Sequence, residues 1–501
     1  MKFYSIILKD ENTSSFAHAV NETFLRDLQI NEIIESIFRS FKNGGVKDIF
    51  YNTLKNSKDV NYRLDVFRNL EYQEIRGPLQ NLSESILKFI DLRKESQNGY
   101  EYMREAEIIR SLAQIVAELD NARSALKNLK YPSEALEQFG EYLDEFMKSD
   151  SVATFKKKLE TLKSEIGSIK FCMLMHGNFI KVFKCENQEN LVDFINLLFG
   201  QKKYHAAEKN SRIEKTQLIP YIRSEIIRLV AGLFPNEFRD ILNFVEEFSD
   251  LIPDQIVKFA GDFQFYSSYL KMMDDLEKAG FRFCIPKFSE DNTCFIIKGG
   301  YNLNLAMKNP SIKKVIPNDI HLDAEKRIAA IIGPNSSGKT TLAMAVGQIA
   351  YLASVGLPVP GTYVEIPLFT SIKTLFPHAE NVEEMIGRLE DELRRMINIL
   401  KNSGEGTLIV MNEFLGSTSE RDALNLYEEI LPMIAEKHSY CIFVTFIDGI
   451  QDFTCVRLYS AVVPPDDPTV KSFMFHEGGQ LYRNYALELA RHYNILFDKH
   501  S

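Results

Sequence analysis

The 501-residue chain has no tryptophan, and nothing about its fold or sites follows from that absence. Other shortages exclude more. No apolar run approaches the roughly 18 residues of a membrane-spanning helix, so no membrane span is expected. The start, Met1-Lys2-Phe3-Tyr4-Ser5-Ile6-Ile7-Leu8-Lys9-Asp10, carries too short an apolar run for a secretory signal. The six cysteines, Cys172, Cys185, Cys284, Cys294, Cys441 and Cys455, include no C-x-x-C pair. They fit reduced thiols in a cytoplasmic protein better than a disulfide frame. Basic residues are not in excess: 59 Lys and Arg against 69 Asp and Glu give a net charge of −10. That argues against a uniformly basic nucleic-acid coat, though not against a local basic patch. His176, His205, His321, His378, His438, His476 and His492 are scattered without metal-ligand spacing. Low-complexity tracts and clear repeats are missing.

What is present is a complete phosphate-binding loop. Gly333-Pro334-Asn335-Ser336-Ser337-Gly338-Lys339-Thr340 reads G-x-x-x-x-G-K-[ST], followed by Thr341. The two glycines let the backbone curl so that successive N–H groups face phosphate oxygens. Lys339 can reach the β- and γ-phosphates, and the Thr340 hydroxyl can ligate Mg²⁺. The flanks supply the context this motif requires. Arg327-Ile328-Ala329-Ala330-Ile331-Ile332 reads as a buried strand, and Leu342, Ala345, Val346, Ile349, Ala350 and Ala353 line one face of a helix. ATP with Mg²⁺ is the expected ligand.

A second apolar, β-prone run, Thr407-Leu408-Ile409-Val410-Met411, ends in Asn412-Glu413. P-loop enzymes end such a strand in an acidic pair, the first member for Mg²⁺ and the second for the attacking water. Glu413 is the candidate general base. Asn412 offers a neutral oxygen beside Thr340 but lacks the charge that helps hold the metal.

Jointly these segments resemble the ATPase domain of the MutS family, the DNA mismatch-repair ATPases related to ABC transporters. Ile316-Pro317-Asn318-Asp319 precedes the strand as in that family, and Gly333-Pro334-Asn335 opens the loop in the same way. Leu352 to Pro360, Glu413 to Asp422 and Tyr485-Ala486-Leu487-Glu488-Leu489-Ala490 resemble further family segments, so the resemblance is dense from about 284 to 496. Departures bear on mechanism. Asn412 replaces an Asp. The family's trans-acting S-T-F signature falls at Gly387-Arg388-Leu389, with Glu392 in register, so its Ser is missing. The family's switch His falls at Phe446, in Thr445-Phe446. The resemblance therefore implies firm ATP binding with slow or conditional hydrolysis.

The length allows two to four domains. The expected architecture is α + α/β: a helical segment at 1–70, a helical core or lever domain at 71–283, and a C-terminal ABC-type P-loop ATPase domain at 284–501. Asp27 to Ile37 reads as a capped helix and Asn61 to Leu70 as an amphipathic one. Ile108, Leu112, Ile115, Leu119, Ala122, Leu126 and Leu129 keep helical spacing up to Pro132. A long helix spans Ile256 to Leu276, with Pro253 before it and Gly280 after it. Between 169 and 183 the pattern turns to a β-hairpin about Gly177-Asn178. The stretch from Gly200 through Lys202, Lys203, Tyr204, Arg212 and Lys215 is locally basic, and is the best candidate here for a nucleic-acid contact.

Family members that read mismatches carry two domains ahead of the helical core, one with a Phe-x-Glu wedge. This chain enters the helical core almost at once. Phe244-Val245-Glu246 matches those letters but lies in an amphipathic helical run, where it reads as chance. The chain stops soon after Asn494-Ile495-Leu496, so the complete closing helix-turn-helix by which family members dimerise is not expected here.

The expectation is thus a short MutS-like, cytoplasmic ATPase that binds structured or damaged duplex DNA as an ATP-gated homodimeric clamp, joined through its ATPase domain. In that picture Gly387 and Arg388 of one copy complete the other's site. The alternative is a nucleotide-gated module with negligible hydrolysis, acting on a protein or ribonucleoprotein partner. A transporter subunit fits less well, because the L-S-G-G-Q signature is absent.

Overall fold

Helix-period and strand-period segments alternate along the chain much as their apolar spacing dictates. The computed structural model describes residues 3–9, 15–17, 22–39, 44–94, 101–176, 179–184, 218–289, 291, 293–377, 387–462 and 471–478. The basic stretch at 200–215, the Gly177-Asn178 turn and the Tyr485–Ala490 segment lie outside them. No described helix is long and apolar enough to cross a membrane. Packing separates two units. One comprises Met1–Phe3, Gln73–Leu129 and Glu137–Gly261; the other comprises Tyr4–Tyr72, Lys130–Leu136 and Asp262–Ser501.

The first unit is mainly helical. Its long members are Gln73–Lys94, Glu101–Leu126 and Asp150–Ser168, with Pro235–Phe248 completing the apolar packing. Aromatic contacts organise the interior: Phe139 stacks on Phe259 at 4.0 Å, and Phe155 packs on Phe244 and Phe248. Phe244 is buried in the middle of its helix, which leaves Phe244-Val245-Glu246 no freedom to act as an exposed wedge. Strands Phe171–His176 and Phe179–Lys184 pair antiparallel, with His176 opposite Phe179. One expectation fails here. Cys284, Cys294, Cys441 and Cys455 are free thiols, but Cys172, on the first hairpin strand, is disulfide-bonded. Sequence spacing alone carried no sign of it, because a disulfide needs the two cysteines brought within a few ångströms by the fold.

The second unit is mixed α/β. A six-stranded sheet runs in the order Ser371–Leu375, Thr407–Asn412, Tyr440–Val444, Ile328–Ile332, Val456–Ala461, Phe475–Glu477. Its first five strands are parallel and the last pairs antiparallel. Buried parallel strands need apolar side chains on both faces, and Ile328–Ile332 and Tyr440–Val444 are buried throughout. The helix Lys339–Val355 follows the central strand, and nearly all its residues are buried. A smaller sheet orders Lys287–Phe288, Tyr363–Ile366, Phe295–Gly300 and Asn318–Leu322.

Residues Tyr4–Tyr72 belong to this unit instead of forming a segment of their own. Buried hydrogen bonds tie them in: Tyr351 Oη donates to the Phe50 carbonyl, and Gln348 Nε2 donates to the Leu28 carbonyl, each at 2.9 Å. Helical spacing shows that a face is apolar but not what will cover it. The capped helix expected from Asp27 also differs. Helices Thr23–Asp27 and Ile30–Phe38 are separate, broken at Gln29 with φ 60, and the buried Asp27 carboxylate accepts a hydrogen bond from Thr374 at 2.7 Å.

Candidate functional site

The loop between Ile332 and Lys339 is shaped by residues that tolerate unusual backbone angles. Gly333 has φ +151, and a Cβ there would lie 2.6 Å from the Ala461 side chain. Gly338 has φ +97, and a Cβ there would lie 3.2 Å from the Phe473 ring. A side chain at either position would crowd these neighbours and take up a backbone angle that glycine alone adopts without strain. The buried Ser337 hydroxyl has no hydrogen-bond partner among the described residues, a donor left free within the loop.

Lys339 is buried, and its ammonium donates to the Gly333 and Pro334 carbonyls, 2.9 Å from each. Above it lies the Phe446 ring, its centre 4.0 Å from Nζ. Burial pushes the Lys339 ammonium down to about 8, against the raising pull of the Glu413 carboxylate. The Thr340 hydroxyl donates to Asn412 Oδ1 at 2.8 Å, so the two residues expected at a metal meet directly.

Asn335, Ser336, Gly338, Lys339, Thr340, Thr341, Glu413, Phe446 and Phe473 line one cleft of about 560 Å³. Glu413 enters it from an unusual backbone. It has φ 54, and Leu415, two positions on, has φ 65. Left-handed angles cost non-glycine residues about 1–2 kcal/mol each. Among the bonds that hold this turn, the Glu413 amide donates to the Val444 carbonyl at 3.0 Å, Tyr427 Oη to the Phe414 carbonyl at 2.9 Å, and the Leu415 amide to Glu392 Oε2 at 3.1 Å.

Gly387 is exposed at the start of the helix Arg388–Lys401, and its carbonyl accepts from the Asp391 amide at 3.1 Å. It is not among the residues lining the cleft of its own chain, and the Arg388 side chain lies outside the described ones.

Sequence reasoning missed a second, more apolar cavity of about 260 Å³. It adjoins the first through Gly338, Thr341 and Phe473, and Leu305, Val315, Ile316 and Ala345 contribute apolar walls. Ile316 and Asn318 belong to a segment that the resemblance had already picked out. Phe473, at φ 55, carried no motif at all.

The chemistry is coherent without any one motif. A loop of main-chain donors and a buried cation offers a polyanion site; two side-chain oxygens 2.8 Å apart offer a divalent-cation site; a carboxylate stands beside both.

Comparison with known proteins points the same way. Residues 329–492 match the family described as MutS domain V. The chain is similar to the DNA mismatch repair protein MSH3 of Eremothecium gossypii, 28% identical over 177 residues, which cover 34% of this chain and 16% of that protein. It is also similar to DNA mismatch repair protein MutS of Thermotoga sp., 27% identical over 241 residues, covering 44% of this chain and 29% of that protein. With MutS of Macrococcus caseolyticus it shares 31% identity over 166 residues, covering 31% and 20%. The chain thus spans less than a third of the length of each of these relatives. Taken with the loop, the Thr340–Asn412 pair and the Glu413 turn, these matches show that residues 329–492 are similar to MutS domain V.

Proposed function

We propose that this protein binds ATP and engages structured or damaged duplex DNA as a nucleotide-gated dimeric clamp, in mismatch repair or a related repair or recombination process. The observation that carries the reading is the gathering of Lys339, Thr340 and Glu413 around one cleft, with Asn412 bonded to Thr340. The names of the relatives, DNA mismatch repair proteins, support the process.

In this reading the loop amides, Asn335 and Lys339 grip the phosphates. The base lies in the adjoining apolar cavity. Thr340 and Asn412 would hold Mg²⁺, which when bound adds positive charge against the phosphate oxygens. Glu413 orients the attacking water and accepts its proton. Gly387 and Arg388 of a second copy complete the site, which makes the domain-V part the dimer contact. The protein works in the cytoplasm. The domain is of the ABC-type ATPase class, and its hydrolysis is slow, because Asn412 lacks a charge and Phe446 sets an apolar ring where a polar group would order water.

The Phe446–Lys339 contact also favours a second reading, a nucleotide-gated module with negligible turnover acting on a protein or ribonucleoprotein. Steady-state ATPase of wild type and Glu413→Gln, with and without homoduplex, mismatched and four-way-junction DNA at fixed salt, separates the two. Turnover stimulated by one DNA form and lost in Glu413→Gln supports the clamp. Tight ATP binding with no turnover and no response to DNA supports the module.

A further inference from the structure

The carboxylate of Glu392 is buried, and it accepts a hydrogen bond from the Leu415 amide at 3.1 Å. A carboxylate is among the strongest acceptors available to a backbone N–H, and a buried one is an expensive choice where any oxygen would serve. What it grips is the strained part of the site. Leu415 is itself buried and left-handed, and Glu413, equally left-handed, lies at the start of the same turn. Gly416 closes the turn by donating to the Glu413 carbonyl at 3.1 Å. A bulky residue holds such an angle only when its surroundings over-determine it.

We infer that Glu392 is a positioning residue: its bond to the Leu415 amide holds the strained turn that aims Glu413 into the cleft. The inference rests on the reading of Glu413 as the base in ATP hydrolysis. Glu392 sits on the helix Arg388–Lys401, so a shift of that helix moves the Glu413 turn with it. The helix begins at the exposed Gly387, which gives the turn a route by which events at the surface reach the site.

The test uses the full chain with Glu392→Gln, which keeps an acceptor oxygen, Glu392→Ala, which removes it, and Glu392→Met, which removes it while filling the volume and so guards against a collapse in folding. The first readout is amide hydrogen exchange across 407–419 without nucleotide. Loss of the acceptor is expected to speed exchange at 414–416 by about tenfold or more, with Glu392→Gln within about threefold of wild type. Wild-type protection in Glu392→Ala or Glu392→Met overturns the proposal. The second readout is single-turnover hydrolysis beside the ATP dissociation constant. The expected result is a fall of about 10- to 100-fold in rate with affinity held within about threefold, restored in Glu392→Gln. A loss of affinity and melting temperature with unchanged rate marks a merely structural role and also overturns it. Should wild type and Glu413→Gln turn over alike, the hydrolysis reading fails, while the exchange arm still judges whether Glu392 holds the turn.

Discussion

The ammonium of Lys339 lies 4.0 Å from the centre of the Phe446 ring while donating to two loop carbonyls. The ammonium is thus held by two carbonyls and one aromatic face of its own chain. A cation over an aromatic face gains about 0.5–2 kcal/mol, depending on solvent access, and the Phe446 ring is partly exposed. That attraction competes with the phosphate for the same charge.

Phe446→Leu is therefore expected to tighten ATP binding by about two- to fivefold. Phe446→His is expected to raise turnover by about tenfold or more, because an imidazole can hydrogen-bond or exchange a proton with water where a phenyl ring cannot. Equilibrium binding and single-turnover rates on the same two variants decide the matter. Weaker ATP binding by the Leu variant would assign the ring to the bound state instead.

Nucleotide affinity should fall with pH above about 8. Burial lowers Lys339 from its ordinary 10.5 to about 8. Below that point the free protein carries the full desolvation penalty of a buried ammonium; as pH rises from 8 toward 10.5 the lysine becomes neutral and the penalty fades. This group alone therefore favours the free folded state at high pH. Phosphate restores the counter-charge and the proton, so binding takes up a proton above pH 8 and weakens by up to roughly tenfold per unit. Calorimetry in two buffers of different ionisation enthalpy should find near-unit proton uptake at pH 9, absent in Lys339→Met. No proton linkage in wild type would show that the lysine stays charged in the free protein.

The 2.8 Å bond between Thr340 and Asn412 makes a third expectation. Asn412→Asp keeps an acceptor for the Thr340 hydroxyl and adds a formal charge where a cation would sit. The Mg²⁺ concentration needed for half-maximal ATP binding should fall by about tenfold, because ligand charge sets much of the affinity at oxygen sites. Thr340→Val should raise it. A Mg²⁺ titration unmoved by either change would place the cation elsewhere.

How much of this site was legible in the sequence follows from the range of each interaction. Gly333 to Thr341 and the strand and helix around them are local features, read from spacing, and the structure has strand Ile328–Ile332 and helix Lys339–Val355 at that place. Asn412 and Glu413 follow a β-prone run that forms the neighbouring strand but one. The contacts that tune the site are long-range: Phe446 on Lys339, Glu392 on Leu415, Phe473 beside Gly338. No periodicity announces which side chains the sheet order will bring together. The grouping of Tyr4–Tyr72 with the P-loop part was hidden for the same reason, since an apolar helix face does not name its partner.

Arg63 shows how that grouping supports the site, and it yields the last prediction. It is fully buried, donates from Nη1 to the Val355 carbonyl at 2.6 Å and from Nε to the Ile7 carbonyl at 3.2 Å, and lies over the Phe265 ring at 5.6 Å. Burial pushes its guanidinium down to about 10, so it stays charged at neutral pH. Val355 is the last residue of the P-loop helix, where carbonyls lack intrahelical donors and the helix dipole is negative, so a cation there satisfies both. Gly356, at φ +83, lets the arginine stem pass, since a Cβ there would lie 3.0 Å from Arg63 Cδ. Arg63→Met leaves the Val355 and Ile7 carbonyls without that donor and should cost about 2–4 kcal/mol of stability by denaturant unfolding. Arg63→Lys, with one charge but no fork, should recover part of it. Because Arg63 acts at the end of the helix opposite Lys339, ATP affinity at temperatures where the variant remains folded should stay within about threefold of wild type. A large loss of affinity without loss of stability would mean instead that the helix transmits strain from Val355 to the loop.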